Sequence, residues 1–317
     1  MKFIYGKNDW NSMERGQENC YLITNGLGGY SSLSMIGSNA RNDHALFMAC
    51  VKAPNHRYHM VSGLDEVLQQ GENKITLSSQ EYVGFTKNKT GFTYLQQFQY
   101  DKAPVWSYQV DGIEIKKTIV MRHGENTLGI RYEIDNRMDQ EVTFKLTPQL
   151  QFVPKGECIA PSQRFDTMQH FIESNGHKLY FKTNARIEVY DTEYVDDIYY
   201  SYDARDGRNA IGKTAHNHKL MLTIAGHRSE VLELIYSMKP VNCGFEQLYC
   251  EEVTRQESLL DRSRIKEPVG QQLVLSADQF VVNRESTNGK TIMAGYPFFA
   301  DWGRDTMIAL VGCCIST

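Results

Sequence analysis

From Thr127 to Ile134, the residues Leu128, Ile130, Tyr132 and Ile134 alternate with Thr127, Gly129, Arg131 and Glu133. A period of two puts every second side chain on one face, which suits a strand with one buried side and not a helix. Ile113, Ile115, Ile119 and Met121 mark the strand before it, and Arg122-His123-Gly124-Glu125 supplies a hairpin loop between the two. Val142, Phe144 and Leu146 continue the pattern in a strand that ends near Pro148. Further strands are expected at 19–24, 45–51, 92–99, 105–110, 179–183, 187–195, 219–225 and 230–237. So many short strands with polar or Gly-containing connections predict a mainly β chain built on a large antiparallel β-sandwich.

The texture changes near Pro240. Phe245, Leu248, Tyr249, Val253, Leu259 and Leu260 recur at three- and four-residue spacing, the stripe of an amphipathic helix. Pro268 opens a second helix carrying Leu273, Ala277, Phe280 and Val281. A loop at Asn288-Gly289-Lys290, a strand-like Thr291-Ile292-Met293-Ala294 and a last helix from Gly303 through Met307, Leu310 and Val311 follow. The boundary falls at about residue 240: a sandwich over 1–240, then helices over 241–317.

Acids and bases are dispersed and the net charge is −4, so no basic stripe invites nucleic acid or an anionic membrane; a neutral polymer is compatible. No apolar run approaches membrane-span length, and the N-terminus has no signal-peptide core. The seven cysteines include no C-x-x-C pair and read as reduced, mostly buried thiols of a cytoplasmic protein. The pairs His56/His59 and His216/His218 lack companion ligands at zinc spacing and read as solvated loop residues; no metal or cofactor is expected. Tyr194, Tyr199, Tyr200 and Tyr202 with Asp196 and Asp197 form either a surface platform for a glucan or an ordinary strand edge.

The densest chemistry lies in Tyr296-Pro297-Phe298-Phe299-Ala300-Asp301-Trp302-Gly303-Arg304-Asp305-Thr306. Aromatic faces stack on the C–H face of a sugar ring, and carboxylate and guanidinium groups bond its hydroxyls in fixed directions. Asp305 or Thr306 is also placed to cap the helix that follows. The same residue types would equally build a helix cap with a buried Arg–Asp pair and core aromatics, and spacing alone does not choose.

The segment YPFFADWGRDTMIAL, with LSADQFVV and TIMAGYP before it, resembles the opening of the glucosidase domain of prokaryotic-type glycogen debranching enzymes. The resemblance implies an (α/α)6 barrel, of which this chain holds the first helices, and removal of α-1,6-linked glucose from branch points. By the same resemblance, Trp302 lines a glucose subsite with Arg304 and Asp305 bonding hydroxyls; Asp301 and Tyr296 match the signature without an assigned role. Independently, Tyr21-Leu22-Ile23-Thr24-Asn25-Gly26-Leu27-Gly28-Gly29-Tyr30-Ser31-Ser32 resembles the opening motif of that family's N-terminal sandwich. Its glycines suit a tight strand-to-strand bend. Three stretches depart from the family pattern: Asn39–Ala45, Phe152–Gly156 and Ser201–Arg208.

Glycosidases use two carboxyl groups, in inverting enzymes about 6.5–9.5 Å apart. The resemblance implies inversion and places the pair on later barrel helices, so the chain alone is expected not to turn over and its catalytic residues are unassigned. The expected partner is an α-glucan, with the rest of a glucosidase domain or another chain covering the last helix. Met307, Ile308, Leu310 and Val311 would otherwise form an exposed apolar stripe on a poorly supported tail. The alternative function is a non-catalytic glucan-binding or assembly module.

Overall fold

The computed structural model describes residues 1–315. Among them, two large antiparallel sheets lie face to face. One runs in the order Phe3–Gly6, Leu95–Tyr100, Pro104–Val110, Ile113–Met121, Thr127–Asn136, Arg228–Ser237, His177–Thr183, Phe171–Ser174, Asp166–Thr167. The other runs Arg186–Tyr199, Ile211–Ile224, Val142–Pro154, His56–Gln70, Ala45–Lys52, Tyr30–Ser32, Ile23–Thr24. The predicted inward set holds: Leu128, Ile130, Tyr132 and Ile134 are buried in one core with Phe47, Val61, Phe144 and Leu146 of the facing sheet, although Thr127 and Gly129 on the other face are covered as well.

The core is not purely apolar. Lys117 belongs to the inward-facing set of the Ile113–Met121 strand, and its Nζ lies 2.6 Å from Glu66 Oε1 of the opposite sheet. The Tyr132 hydroxyl donates to the same oxygen at 2.6 Å. Two sheets are thus joined by a buried charge pair whose acceptor is doubly engaged, the condition under which such burial is tolerated.

The structure corrects the sequence reading at several points. The central His56–Gln70 strand has no counterpart among the expected strands, because Arg57, His59, Ser62 and Glu66 are polar yet buried and break the apolar alternation. The strand begun at Val142 does not stop at Pro148 but runs to Pro154. Its pairing with Ile211–Ile224 slips between Leu146 and Leu150, an irregularity of the kind that accommodates proline within a sheet, while opposite His56–Gln70 the register holds through Gln149. Phe280 and Val281 are not helical: the helix is Pro268–Asp278, and Val281–Arg284 pairs with Gly289–Ile292 as a hairpin. His59 and His218 are buried strand residues rather than solvated loop ones, and His216 is partly buried. Of the cysteines, Cys50 and Cys243 are buried, whereas Cys20, Cys158, Cys250 and Cys314 are exposed thiols.

The glycine motif makes the bend between Ile23–Thr24 and Tyr30–Ser32. Gly28 has φ +100°, and a Cβ there would lie 2.1 Å from the Pro54 carbonyl oxygen, so no other residue fits. The Asn25 side chain closes the turn by accepting from Leu27 and Gly29 N–H, both at 3.0 Å.

After Ser237 the chain leaves the sandwich. The Phe245–Ser263 helix lays Phe245 and Leu248 on Val120 and Ile235 of the outer sheet face. Arg131 is cation–π stacked on Phe245 and ion-paired to Glu233 and Glu246. The Pro268–Asp278 helix starts on Glu267, whose carboxylate accepts from Val269 and Gly270 N–H. The hairpin beyond it returns to the sandwich: Asn283 N–H donates to Gly26 O at 2.8 Å and Glu285 Oε1 accepts from Ala53 N–H at 3.0 Å. The loop that follows is thereby delivered to one end of the two sheets.

Candidate functional site

Gly295–Trp302 forms a closed loop between the hairpin and the Gly303–Leu310 helix. Phe299 N–H donates to Gly295 O at 2.8 Å and Ala294 N–H to Ala300 O at 3.1 Å. The Tyr296–Pro297 peptide is cis. Trp302, not Asp305 or Thr306, is the N-cap; its carbonyl takes Thr306 N–H at 2.8 Å and no side chain caps the helix. Asp305 stands at the third helical position, where a carboxylate is favoured by the positive end of the helix. Thr306 turns its hydroxyl to Ile292 O.

Trp302 is 58% exposed. Arg304 is also exposed and reaches Asp305 at 3.6 Å. Indole, guanidinium and carboxylate therefore share one open loop-to-helix corner, and the Arg–Asp pair is not the buried one that a purely structural motif would contain. Asp301 and Tyr296 behave differently. Asp301 Oδ1 accepts from Asn55 Nδ2 at 2.6 Å and Oδ2 is ion-paired to Arg284, so both oxygens are engaged within the protein. The Tyr296 hydroxyl is buried without a partner, and its ring packs edge-on to Tyr30 at 5.5 Å and tilted against Phe280. Burial pushes its hydroxyl well above the ordinary tyrosine range. These two residues fasten the loop rather than face a surface ligand.

The loop is held by a clamp that the sequence reading did not foresee. Arg57 donates through its two terminal nitrogens to Pro297 O at 3.3 Å and Phe299 O at 2.9 Å. Lys155 Nζ donates to Phe298 O at 3.2 Å. The Phe298 ring lies under two guanidinium groups, Arg41 at 4.8 Å and Arg208 at 5.0 Å. Arg41 in turn pairs with Asp203 and Asp206, and Lys155 lies 2.8 Å from Asp43. The ammonium of Lys155 is pulled below the usual lysine range by burial, helped by the positive Arg57 and Arg208, while Asp43 opposes that shift. Arg41, Asp43, Lys155, Asp203, Asp206 and Arg208 come from the three stretches that depart from the family pattern. Far apart in sequence, Arg41, Lys155 and Arg208 converge on Phe298, and the three aspartates pair with these cations. Neither spacing nor composition marks them in the sequence, because each is satisfied by a partner distant along the chain.

Among the described residues no group of three or more His, Cys, Asp or Glu side chains could hold a metal ion. The buried histidines near the clamp stay neutral. His44 and His59 are pushed down to about 3, in each case first by burial, and then by Arg41 for His44 and by Lys155 for His59.

Residues 19–230 match the family model described as "Glycogen debranching enzyme N terminal", and residues 275–317 match "Amylo-alpha-1,6-glucosidase". The chain belongs to the glycogen debranching enzyme family. The debranching-family glucosidase match thus covers the loop, the Trp302 corner and the last helix, while the sandwich match covers the first two stretches of the clamp and Ser201–Arg208 as well. No curated protein matches the chain significantly. Among solved structures, a protein assigned as a kojibiose phosphorylase from the human microbiome is similar at 9% identity and a TM-score of 0.40, covering 92% of this chain and 43% of its own. A bacterial glucoamylase complexed with acarbose is similar at 7% identity and a TM-score of 0.39, covering 83% of this chain and 40% of its own. The chain thus spans less than half the length of either. No helix among the described residues is long and apolar enough to cross a membrane.

Proposed function

We propose that the chain is the front part of a cytoplasmic glycogen-debranching glycoside hydrolase, which hydrolyses α-1,6-linked glucose at α-glucan branch points with inversion. In this reading residues 1–240 are the sandwich domain and 241–317 the linker helices and start of an (α/α)6 glucosidase domain. Trp302 stacks on the terminal glucose, and Arg304 and Asp305 bond its hydroxyls. Asp301 and Tyr296 position the loop. The catalytic acid and base lie outside these residues. The observation that carries the reading is the exposed Trp302–Arg304–Asp305 corner, presented on a loop that the sandwich clamps through its main chain. Exposed free thiols fit a reducing compartment.

The second reading is a glucan-binding module without turnover; both oxygens of Asp301 are engaged and Asp305 is paired with Arg304, which fits a corner that binds without transferring protons. Both readings expect this chain to bind glycogen and Trp302→Ala to weaken that binding at least tenfold, by co-sedimentation. Glucose release from a limit dextrin by a version extended through the barrel separates them. Glycogen binding indifferent to Trp302→Ala would sink both.

A further inference from the structure

The turn at 83–88 and the end of the Arg186–Tyr199 strand build an exposed aromatic patch on the sandwich that shares no residue with the Trp302 corner. Phe85 is 57% exposed, and Val83 and Ile211 are exposed beside it. The Phe85 ring meets the half-buried Tyr199 ring edge-on at 5.7 Å, and Tyr199 stands directly opposite Ile211 of the neighbouring strand, so the three side chains are contiguous. Val83 N–H donates to Asp197 O at 2.8 Å, which brings the exposed Asp197 and Asp196 to the rim. Of the four tyrosines at 194–202, Tyr199 joins this patch. Tyr200 is buried, Tyr194 packs on the core and Tyr202 lies under Arg41 and Arg205.

Three features point to an occupant of stated chemistry. First, Phe85 has φ +61°, a left-handed backbone that glycine adopts freely and a bulky side chain adopts only under strain. Its ring is not retained for the core, since it faces solvent; outward display is what the strain secures. Second, the patch is pre-set. Phe85 N–H donates to Tyr82 O at 2.9 Å, Tyr82 N–H to Asn88 Oδ1 at 2.8 Å and Tyr199 N–H to Glu81 O at 2.9 Å. The strand's pairing slips between Val195 and Ile198, a bulge of the kind that re-aims side chains, here Asp196 and Asp197. Third, size and charge narrow the guest. Six residues fall far short of the roughly 20–30 a side of a stable protein interface. Asp196 is already offset by Lys213 at 3.0 Å, and the carboxylate of Asp197 repels anions. Aromatic faces edged by hydrogen-bond acceptors suit a neutral ring with C–H groups on one side and hydroxyl donors on its rim.

We propose that Phe85, Tyr199 and Ile211, rimmed by Asp196 and Asp197, form a second binding surface for a neutral polyhydroxylated chain, and that this chain is a stretch of α-glucan away from the end taken at Trp302. The choice of glucan rests on the α-glucan reading above; the exposed aromatic surface does not. The patch is tied to the corner through one short segment. Tyr199 leads into the Ser201–Arg205 helix and Ile211 follows it, and between them Asp203 pairs with Arg41 and Arg208 lies over Phe298. Two contacts on one mounting hold a branched polymer more tightly than either does alone.

The test is titration of this chain with maltoheptaose, followed by the NMR shifts of its backbone amides, beside Phe85→Gly and Trp302→Ala. Phe85→Gly removes the ring and suits the left-handed backbone, so its thermal stability should be no lower than the parent's and a loss of binding cannot be a loss of folding. The expected result is two sets of saturable shifts, one at 83–87, 197–199 and 211 and one at 302–306. Phe85→Gly should weaken the first set at least tenfold and leave the second, and Trp302→Ala should do the reverse. Absence of the first set from the unaltered chain, or equal affinity there in the parent and Phe85→Gly, overturns the patch. The second set present without the first overturns the patch and keeps the Trp302 subsite. The first present without the second keeps the patch and sinks that subsite, and absence of both overturns the two together.

Discussion

The sandwich interior and the C-terminal corner pose opposite problems. In the interior, Lys117, Glu66 and Tyr132 are polar groups sealed between two apolar sheets, each justified by a partner at 2.6 Å. At the corner, Met307, Ile308 and Val311 are apolar groups facing solvent at 72%, 75% and 59% exposure, justified by nothing inside the described residues. The expected apolar stripe is therefore present. The support beneath it is better than expected, because the preceding loop is fastened by Asn55, Arg57, Lys155 and Arg284. Order at this corner comes from charge–carbonyl contacts, and order in the interior from burial.

Acid should have the largest effect, and it should act on both regions, through His44 and His59 beside the clamp and His218 in the sandwich. His44 and His59 are pushed down to about 3 and His218 to about 4, all chiefly by burial, from an ordinary 6.5. Below 6.5 the unfolded chain binds protons that the folded chain refuses, so stability is complete above that value and is lost as pH falls. Each histidine removes about 1.4 kcal/mol per pH unit until its folded value is reached. Urea midpoints should drop steeply between pH 6.5 and 4.5, and His218→Gln should remove about a third of that three-histidine slope.

Next in size is the buried pair. Glu66→Leu alone leaves the Lys117 ammonium in the core and should cost about 3–5 kcal/mol, whereas Glu66→Leu with Lys117→Met should recover most of it. A single variant as stable as the parent in chemical denaturation would show that water reaches Lys117. At the corner, Arg57→Met removes two charge-assisted bonds to carbonyls, each worth about 1.5–3 kcal/mol. Amide exchange over 297–306 should quicken by about tenfold or more, while the Thr127–Asn136 strand keeps its protection. Equal acceleration in both would erase the distinction between them. Smallest of all, Ile308→Ser should change stability by no more than about 0.5 kcal/mol, because its side chain already faces water. A larger loss in chain alone would mean that the helix face is covered.

What was legible in the sequence followed periodicity and glycine chemistry. The strands at 113–121 and 127–136 and the bend at Gly26–Gly29 could be read because each position has one local requirement: apolar inward, or positive φ. The His56–Gln70 strand could not be read, since its inward polar residues are satisfied by partners distant in sequence, such as Lys117 for Glu66. The same limit hid the clamp. Arg57 and Pro297 are 240 positions apart, and nothing local marks either as a partner of the other. Within the candidate site, the motif singled out Trp302, Arg304 and Asp305 and left Asp301 and Tyr296 without a role, and only the structure shows that burial and hydrogen bonding turn these last two inward.

Arg57 and Lys155 grip the loop by its carbonyl oxygens, a feature that every amino acid shares. That part of the fastening is thus blind to the side chains whose carbonyls it takes, whereas Tyr296, Phe298 and Asp301 hold the loop by their own. The exposed Phe299 could be exchanged over generations without disturbing that grip, so the outer surface of the corner is free to drift while its mounting stays put.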